Sequence, residues 1–72
     1  MIYFHKSEMG CGLGEARDLR SADVQVRRDL GSYHASAGYL VRKATPHDVA
    51  WVKAMGGYVP DAALSTREGK RE

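Results

Sequence analysis

His5, Cys11, His34 and His47 are the side chains of this 72-residue sequence with the widest chemical range. Cys11 stands in the run GCGLGE, ahead of a stretch with helical periodicity, and a thiol beside a helix N-terminus is held more readily as the nucleophilic thiolate. A cysteine nucleophile also needs a base within hydrogen-bond reach. No spacing along the chain brings a histidine to Cys11 without tertiary folding, so the thiol is expected to be incidental or partly buried. The same four side chains lack the close ligand pairs of a zinc site, and a lone cysteine excludes an internal disulfide. No catalytic residue, metal ligand or cofactor is assigned.

Gly10, Gly12 and Gly14 follow an apolar run and precede a helical pattern, the context in which a glycine-rich turn cradles phosphate on free helix amides. The dinucleotide pattern G-x-G-x-x-G is not met, since the third glycine comes one residue early, and no Gly-Lys-Ser or Gly-Lys-Thr follows. A plain connecting loop is the expectation.

Arginines carry the third signal. On a helix of 3.6 residues per turn, Arg17, Arg20, Arg27 and Arg28 project within an arc of roughly 100°, opposite Leu19. Guanidinium groups so arranged suit phosphates or a carboxylate-rich protein surface, because each bonds in a bidentate way. Val24 sits in the middle of the arc, an apolar residue ringed by cations, as at an interaction hot spot. These five, with Tyr33 and His34 as secondary candidates, form the expected partner-binding set; a solvated helix face is the plainer alternative.

The elements that must position these residues are short. Ile2 to Lys6 alternates as a strand with Ile2 and Phe4 inward, and the glycine run leads out of it. Leu19, Ala22, Val26 and Leu30 share one face of a helix over residues 15–30, with Glu15 and Asp18 in its first turn and Gly31 as its C-terminal cap. Residues 31–38 read as a loop, and YLVRKA, residues 39–44, as a strand with either Leu40 or Val41 in the core.

TPHD then starts a second helix, over residues 46–55: Thr45 is the N-cap, Pro46 takes the first helical position and Asp48 supplies the capping-box carboxylate. Val49, Val52 and Met55 line its inner side with Trp51 beside them, and Gly56 and Gly57 end it. Tyr58 and Val59 are expected to add a last strand, closed by Pro60. The expected fold class is α+β: a single β-α-β-α-β domain over residues 1–60, two helices on a three-stranded sheet, followed by a polar tail over 61–72, flexible or with one extra helical turn after Asp61. Trp51, Tyr33, Tyr39 and Tyr58 are expected mostly in or beside the core, any exposed ring being an anchor for a partner.

Leu, Ile, Val and Phe make up 13 of the 72 residues, a level bordering on disorder, but the net charge of +2 does not drive the chain apart. A domain this small buries only about 60% of its unfolded surface, so burial against a partner or a second copy is an expected supplement. No window approaches the roughly 18 apolar residues of a membrane span. The first residues, MIYFHK, lack the features of a signal peptide, so the expected compartment is the cytoplasm. Two helices on a small sheet do not build an enzyme's enclosed pocket, and an enzyme is not expected.

In size, charge mixture and compact α+β pattern the chain resembles the small proteins of phages and mobile elements, including the anti-CRISPR inhibitors. The resemblance implies a non-enzymatic inhibitor that binds a larger host protein or ribonucleoprotein complex and sterically blocks the surface of a Cas effector where nucleic acid would lie. The alternatives are a dimeric nucleic-acid-binding regulator using the first helix, or an antitoxin-like partner of a toxin. Direct nucleic-acid binding ranks lower, because nine acidic residues nearly balance eleven basic ones and Asp18, Asp23 and Asp29 flank the same helix.

Overall fold

The chain begins with a hairpin. In the computed structural model, which describes residues 1–63, β1 (Ile2–Ser7) turns at Glu8 and Met9 into β2 (Gly10–Glu15), pairing Phe4 with Leu13 and Tyr3 with Gly14. α1 (Leu19–Ser36), β3 (Tyr39–Lys43) and α2 (Pro46–Ala54) follow. The sheet is antiparallel with order β2-β1-β3. The α+β class with two helices and a three-stranded sheet holds; the order is β-β-α-β-α, because the third strand is the glycine run and not Tyr58–Val59.

The glycine run is a strand and no loop because of what lies across from it. A Cβ on Gly14 would fall 2.4 Å from the Tyr3 Cζ and hydroxyl oxygen, and one on Gly12 would fall 3.2 Å from His5 Nε2. The rings of β1 occupy the space that side chains on β2 would need, which is the close approach that a strand glycine permits. The intervening Cys11 and Leu13 point to the other face. With the amides of Gly10, Gly12 and Gly14 turned to β1 in a ladder, this segment is a strand and no strand-to-helix turn, and the phosphate-cradle reading has no geometric basis.

Each face of the sheet carries one helix. Tyr3, Ala16, Ala22 and Val26 form the core under α1, joined by the half-buried Leu30, Tyr39 and Val41; Phe4, Leu13, Val49, Val52 and Ala63 form the core under α2. Period-two alternation along β1 feeds both, with Tyr3 on one side and Phe4 on the other. It is Val41, not Leu40, that joins a core.

α1 starts later than its pattern suggests. Glu15 closes β2, and Asp18 is the N-cap, its Oδ1 accepting from the Ser21 amide at 2.8 Å. Leu19, expected inside, is 46% exposed, since the first turn lies beyond the core that Ala22 and Val26 reach. Gly31 does break the helical path, at φ 81° and ψ 166°, a region essentially reserved for glycine. The chain then resumes helical geometry to Ser36, where a loop was expected.

At α2 the expected capping box is present: the Asp48 amide donates to Thr45 Oγ1 at 3.1 Å, and the Thr45 amide to Asp48 Oδ2 at 2.8 Å. The helix ends in a Schellman motif, Gly57 N to Val52 O at 2.9 Å and Gly56 N to Lys53 O at 3.0 Å, with Gly56 at φ +82°. Met55 follows the last helical residue and is exposed instead of lining the core.

Tyr58 and Val59 form no strand. A two-residue segment ahead of a proline offers too few donors for a ladder; Val59 packs instead on the Phe4 cluster, Pro60 is fully buried, and the Ala63 amide donates to the Pro60 carbonyl at 3.0 Å. Of the polar segment expected over 61–72, residues 64–72 lie outside the described residues.

Candidate functional site

The outer face of α1 is built by the same periodicity that buries its inner face. Ala22 and Val26 lock the helix onto the sheet, so Arg20, Val24 and Arg28 project away from it, with Arg27 on the flank that faces β3. All four are exposed, Val24 to 44%. Arg17 is not part of this face. It lies in the connection before the N-cap, 86% exposed in its side chain, with its Nε 3.8 Å from Asp18 Oδ2, because β2 continues through Glu15 and delays the helix.

The remaining arginines differ in how they are held. Arg27 donates through Nη2 to Asp23 Oδ2 at 2.8 Å and through Nε to the Tyr39 hydroxyl at 3.1 Å, and that hydroxyl donates to Asp23 Oδ1 at 2.8 Å. The Tyr39 contact, followed by the nearby charge of Asp23, raises the already high pKa of Arg27. The guanidinium groups of Arg20 and Arg28 have no ion-pair or hydrogen-bond partner among the described residues. Two unengaged guanidinium groups thus flank an exposed valine, with a third, fixed one beside them.

Past the kink, Tyr33 is 80% exposed, and its ring meets His34 edge-on at 5.1 Å. His34 Nδ1 contacts Glu8 Oε2, which ties the end of α1 to the β1–β2 turn. The kink at Gly31 also forms an elbow, an open groove of about 590 Å³ lined by Arg27, Arg28, Ser32, Ser36 and Tyr39. Tyr58, 72% exposed, is a surface ring; Trp51, 45% exposed, stands beside the core with its ring centre 6.3 Å from that of Phe4, and Tyr39 is half-buried.

The candidates for bond-making chemistry are kept apart. His5 pairs with Gly12 and Cys11 with Lys6, so the two side chains leave the sheet on opposite faces; His47 is exposed on α2. Cys11 packs against the Phe4 cluster. His5 borders a cleft of about 150 Å³ shared with Tyr3, Ser7 and Asp29, about half the volume at which small-molecule pockets begin; Cys11 also lines it, but the register directs its thiol to the other face of the sheet. Burial lowers the His5 pKa, partly opposed by Asp29, and burial followed by Asp29 raises that of Tyr3. Among the described residues no three His, Cys, Asp or Glu side chains converge as metal ligands, and no helix is long and apolar enough to cross a membrane.

Sequence reasoning set Arg20, Val24 and Arg28 on one helix face, where the structure also has them exposed, but missed the capture of Arg27 by Tyr39 and the elbow groove. The periodicity of β3 carried a partial signal: once Val41 faces α1, so does Tyr39. Comparison with protein-family models, with curated proteins and with solved structures finds no match to this chain.

Proposed function

We propose that this chain is a protein-binding module that acts by covering a surface of a larger partner, with Arg20, Val24 and Arg28 at the centre of the contact. The unengaged state of Arg20 and Arg28 around an exposed valine carries this reading. Two guanidinium groups without internal partners break no ion pair when they meet a partner's carboxylates, although ordering their side chains costs some freedom, and Val24 supplies apolar contact at the centre of the patch. The surface calls for a carboxylate-rich partner. Steric inhibition in the cytoplasm, in the manner of an anti-CRISPR protein on a nucleic-acid-binding Cas effector, is the specific form proposed; because a nucleic-acid channel is itself basic, the arginine face would seat on an acidic surface bordering the channel and obstruct it from there.

The test is capture of partners by the tagged full chain, beside a chain carrying Arg20→Glu, Val24→Gln and Arg28→Glu. A complex lost in the variant supports the reading, provided the variant's thermal midpoint is unchanged. A complex kept intact removes the outer face of α1 from the function. Tight, salt-sensitive binding of free DNA or RNA by the purified chain favours the nucleic-acid regulator instead. For the specific form, the chain is added to a purified, guide-loaded Cas effector, where loss of target-DNA binding is expected.

A further inference from the structure

β3 is an edge strand whose outer side has a defined set of free backbone groups. Its ladder runs only to β1, and the Ala44 amide donates to the Ile2 carbonyl at 3.0 Å. In an antiparallel ladder the N–H and C=O of one residue point the same way and alternate along the strand. Arg42 and Leu40 therefore bond β1, while Tyr39, Val41 and Lys43 present their N–H and C=O outward. No strand among the described residues pairs with that edge.

α1 overhangs it. Gln25, on one flank of the helix, accepts from the Tyr3 hydroxyl of β1 at 3.1 Å. Asp23 and Arg27, on the other flank, engage Tyr39 of β3. Arg27 thus stands over the Tyr39 end of the open edge, and the unengaged Arg28 lines the elbow groove that Tyr39 shares. On the opposite face of the strand Leu40 is 45% exposed. A strand added here would direct alternate side chains toward the arginines and toward Leu40.

We propose that the outer edge of β3 is a docking site for an extended segment of a partner protein in which acidic residues alternate with apolar ones. The segment adds a fourth strand to the sheet, a common mode of peptide recognition. Charge selects the occupant. A second copy paired antiparallel about Val41 would set the Arg27 end of each protomer beside Lys43 of the other, like charge on like, and residues 64–72 of this chain carry Arg67, Lys70 and Arg71 against Glu68 and Glu72, the wrong sign for the site. This inference rests on the reading of the chain as a protein-binding module and names the part of the partner it holds.

The probe is a short capped peptide alternating Glu and Val, titrated into the isotope-labelled full chain and followed by amide NMR. The controls are a Lys/Val peptide and a peptide of the same composition with Glu and Val in separate blocks. Expected are shifts centred on Tyr39, Val41 and Lys43, at least about tenfold slower hydrogen exchange of those three amides, and binding that weakens with salt. Leu40→Ser and Lys43→Glu, both exposed changes, are each expected to weaken the Glu/Val peptide about threefold to tenfold. Equal binding of the Lys/Val peptide, shifts centred elsewhere, or no binding at millimolar peptide overturns the proposal. So does slow exchange of the three amides in the free chain, if cutting the chain after Ala63 or diluting it restores fast exchange, since the site then has another occupant. A partner captured through Arg20 and Val24 but indifferent to Leu40→Ser and Lys43→Glu overturns this inference alone; peptide docking without any dependence of partner capture on Arg20 and Val24 overturns the proposed contact face alone.

Discussion

Arg42 meets Asp48 as a fork on a carboxylate, Nη1 to Oδ2 at 2.6 Å and Nη2 to Oδ1 at 3.0 Å, and so pins the end of β3 to the first turn of α2. The guanidinium also lies 4.7 Å from the centre of the Phe4 ring, and Asp48 Oδ2 still accepts the Thr45 amide. One buried carboxylate thus joins strand, cap and helix. Asp48→Asn is expected to destabilise the fold by about 1–3 kcal/mol, toward the lower end because the Arg42 side chain is 43% exposed and screened. Urea denaturation of Asp48→Asn and of Arg42→Met, which keeps the packing over Phe4, measures it; no loss in either variant removes the fork from the account of stability.

The same pair fixes an acid response. Arg42 first, then the Thr45 contacts, hold the Asp48 carboxyl well below the usual carboxylate range, against the burial that opposes them. Because the folded value is depressed, the contribution is complete above the unfolded value of about 4 and is lost as pH falls toward the folded one. Unfolding free energy is expected to drop more steeply below about pH 4 in the natural chain than in Asp48→Asn. Parallel acid curves for the two proteins contradict the assignment.

Tyr3 and Gly14 form the second relationship open to test. Tyr3 is 5% exposed and bonded to Gln25, so its ring cannot swing aside for a new methyl group. Gly14→Ala is expected to cost about 1–3 kcal/mol by overpacking, and Gly12→Ala less, since His5 is the freer ring. Pairing Gly14→Ala with Tyr3→Leu should recover part of the loss, and purely additive costs in that double-mutant cycle argue against direct contact.

What the sequence discloses follows the range of each interaction. The TPHD cap is legible because all its atoms lie within one turn, and Arg20, Val24 and Arg28 are legible because a single helix places them. The strand at GCGLGE is not, since its glycines are explained by rings on the neighbouring strand. Likewise Arg42 and Tyr39 acquire their roles only once β3 has a register, which decides that Arg42 faces α2 and Tyr39 faces α1. At Gly31 the composition shows that the helix breaks, but not that it resumes.

That break shapes the elbow groove. A Cβ at Gly31 would meet no atom within 4 Å, so space does not forbid a side chain; the backbone, at φ +81°, does. Gly31→Ala is expected to cost about 1–3 kcal/mol, the strain of that region for any other residue, or to straighten α1 and abolish the elbow. Thermal unfolding and the amide shifts of residues 32–36 distinguish these outcomes, and an unstrained, unchanged Gly31→Ala protein contradicts the kink.

Tyr39 links stability to binding. Its hydroxyl donates to Asp23 and accepts from Arg27, so it holds one guanidinium in place while Asp23 neutralises it. Tyr39→Phe removes two hydrogen bonds on a partly exposed network and is expected to cost about 0.5–1.5 kcal/mol. It should also loosen Arg27 and weaken the Glu/Val peptide by about threefold through lost preorganisation. Asp23→Asn acts in the opposite direction. It unmasks the cation, so affinity for the acidic peptide is expected to rise about fivefold at low salt and to return toward the natural value as salt increases. Calorimetric titration of both variants at low and high salt decides the matter: weaker binding in Asp23→Asn at low salt shows that the carboxylate itself takes part in recognition, and that a positive edge is not what the partner reads.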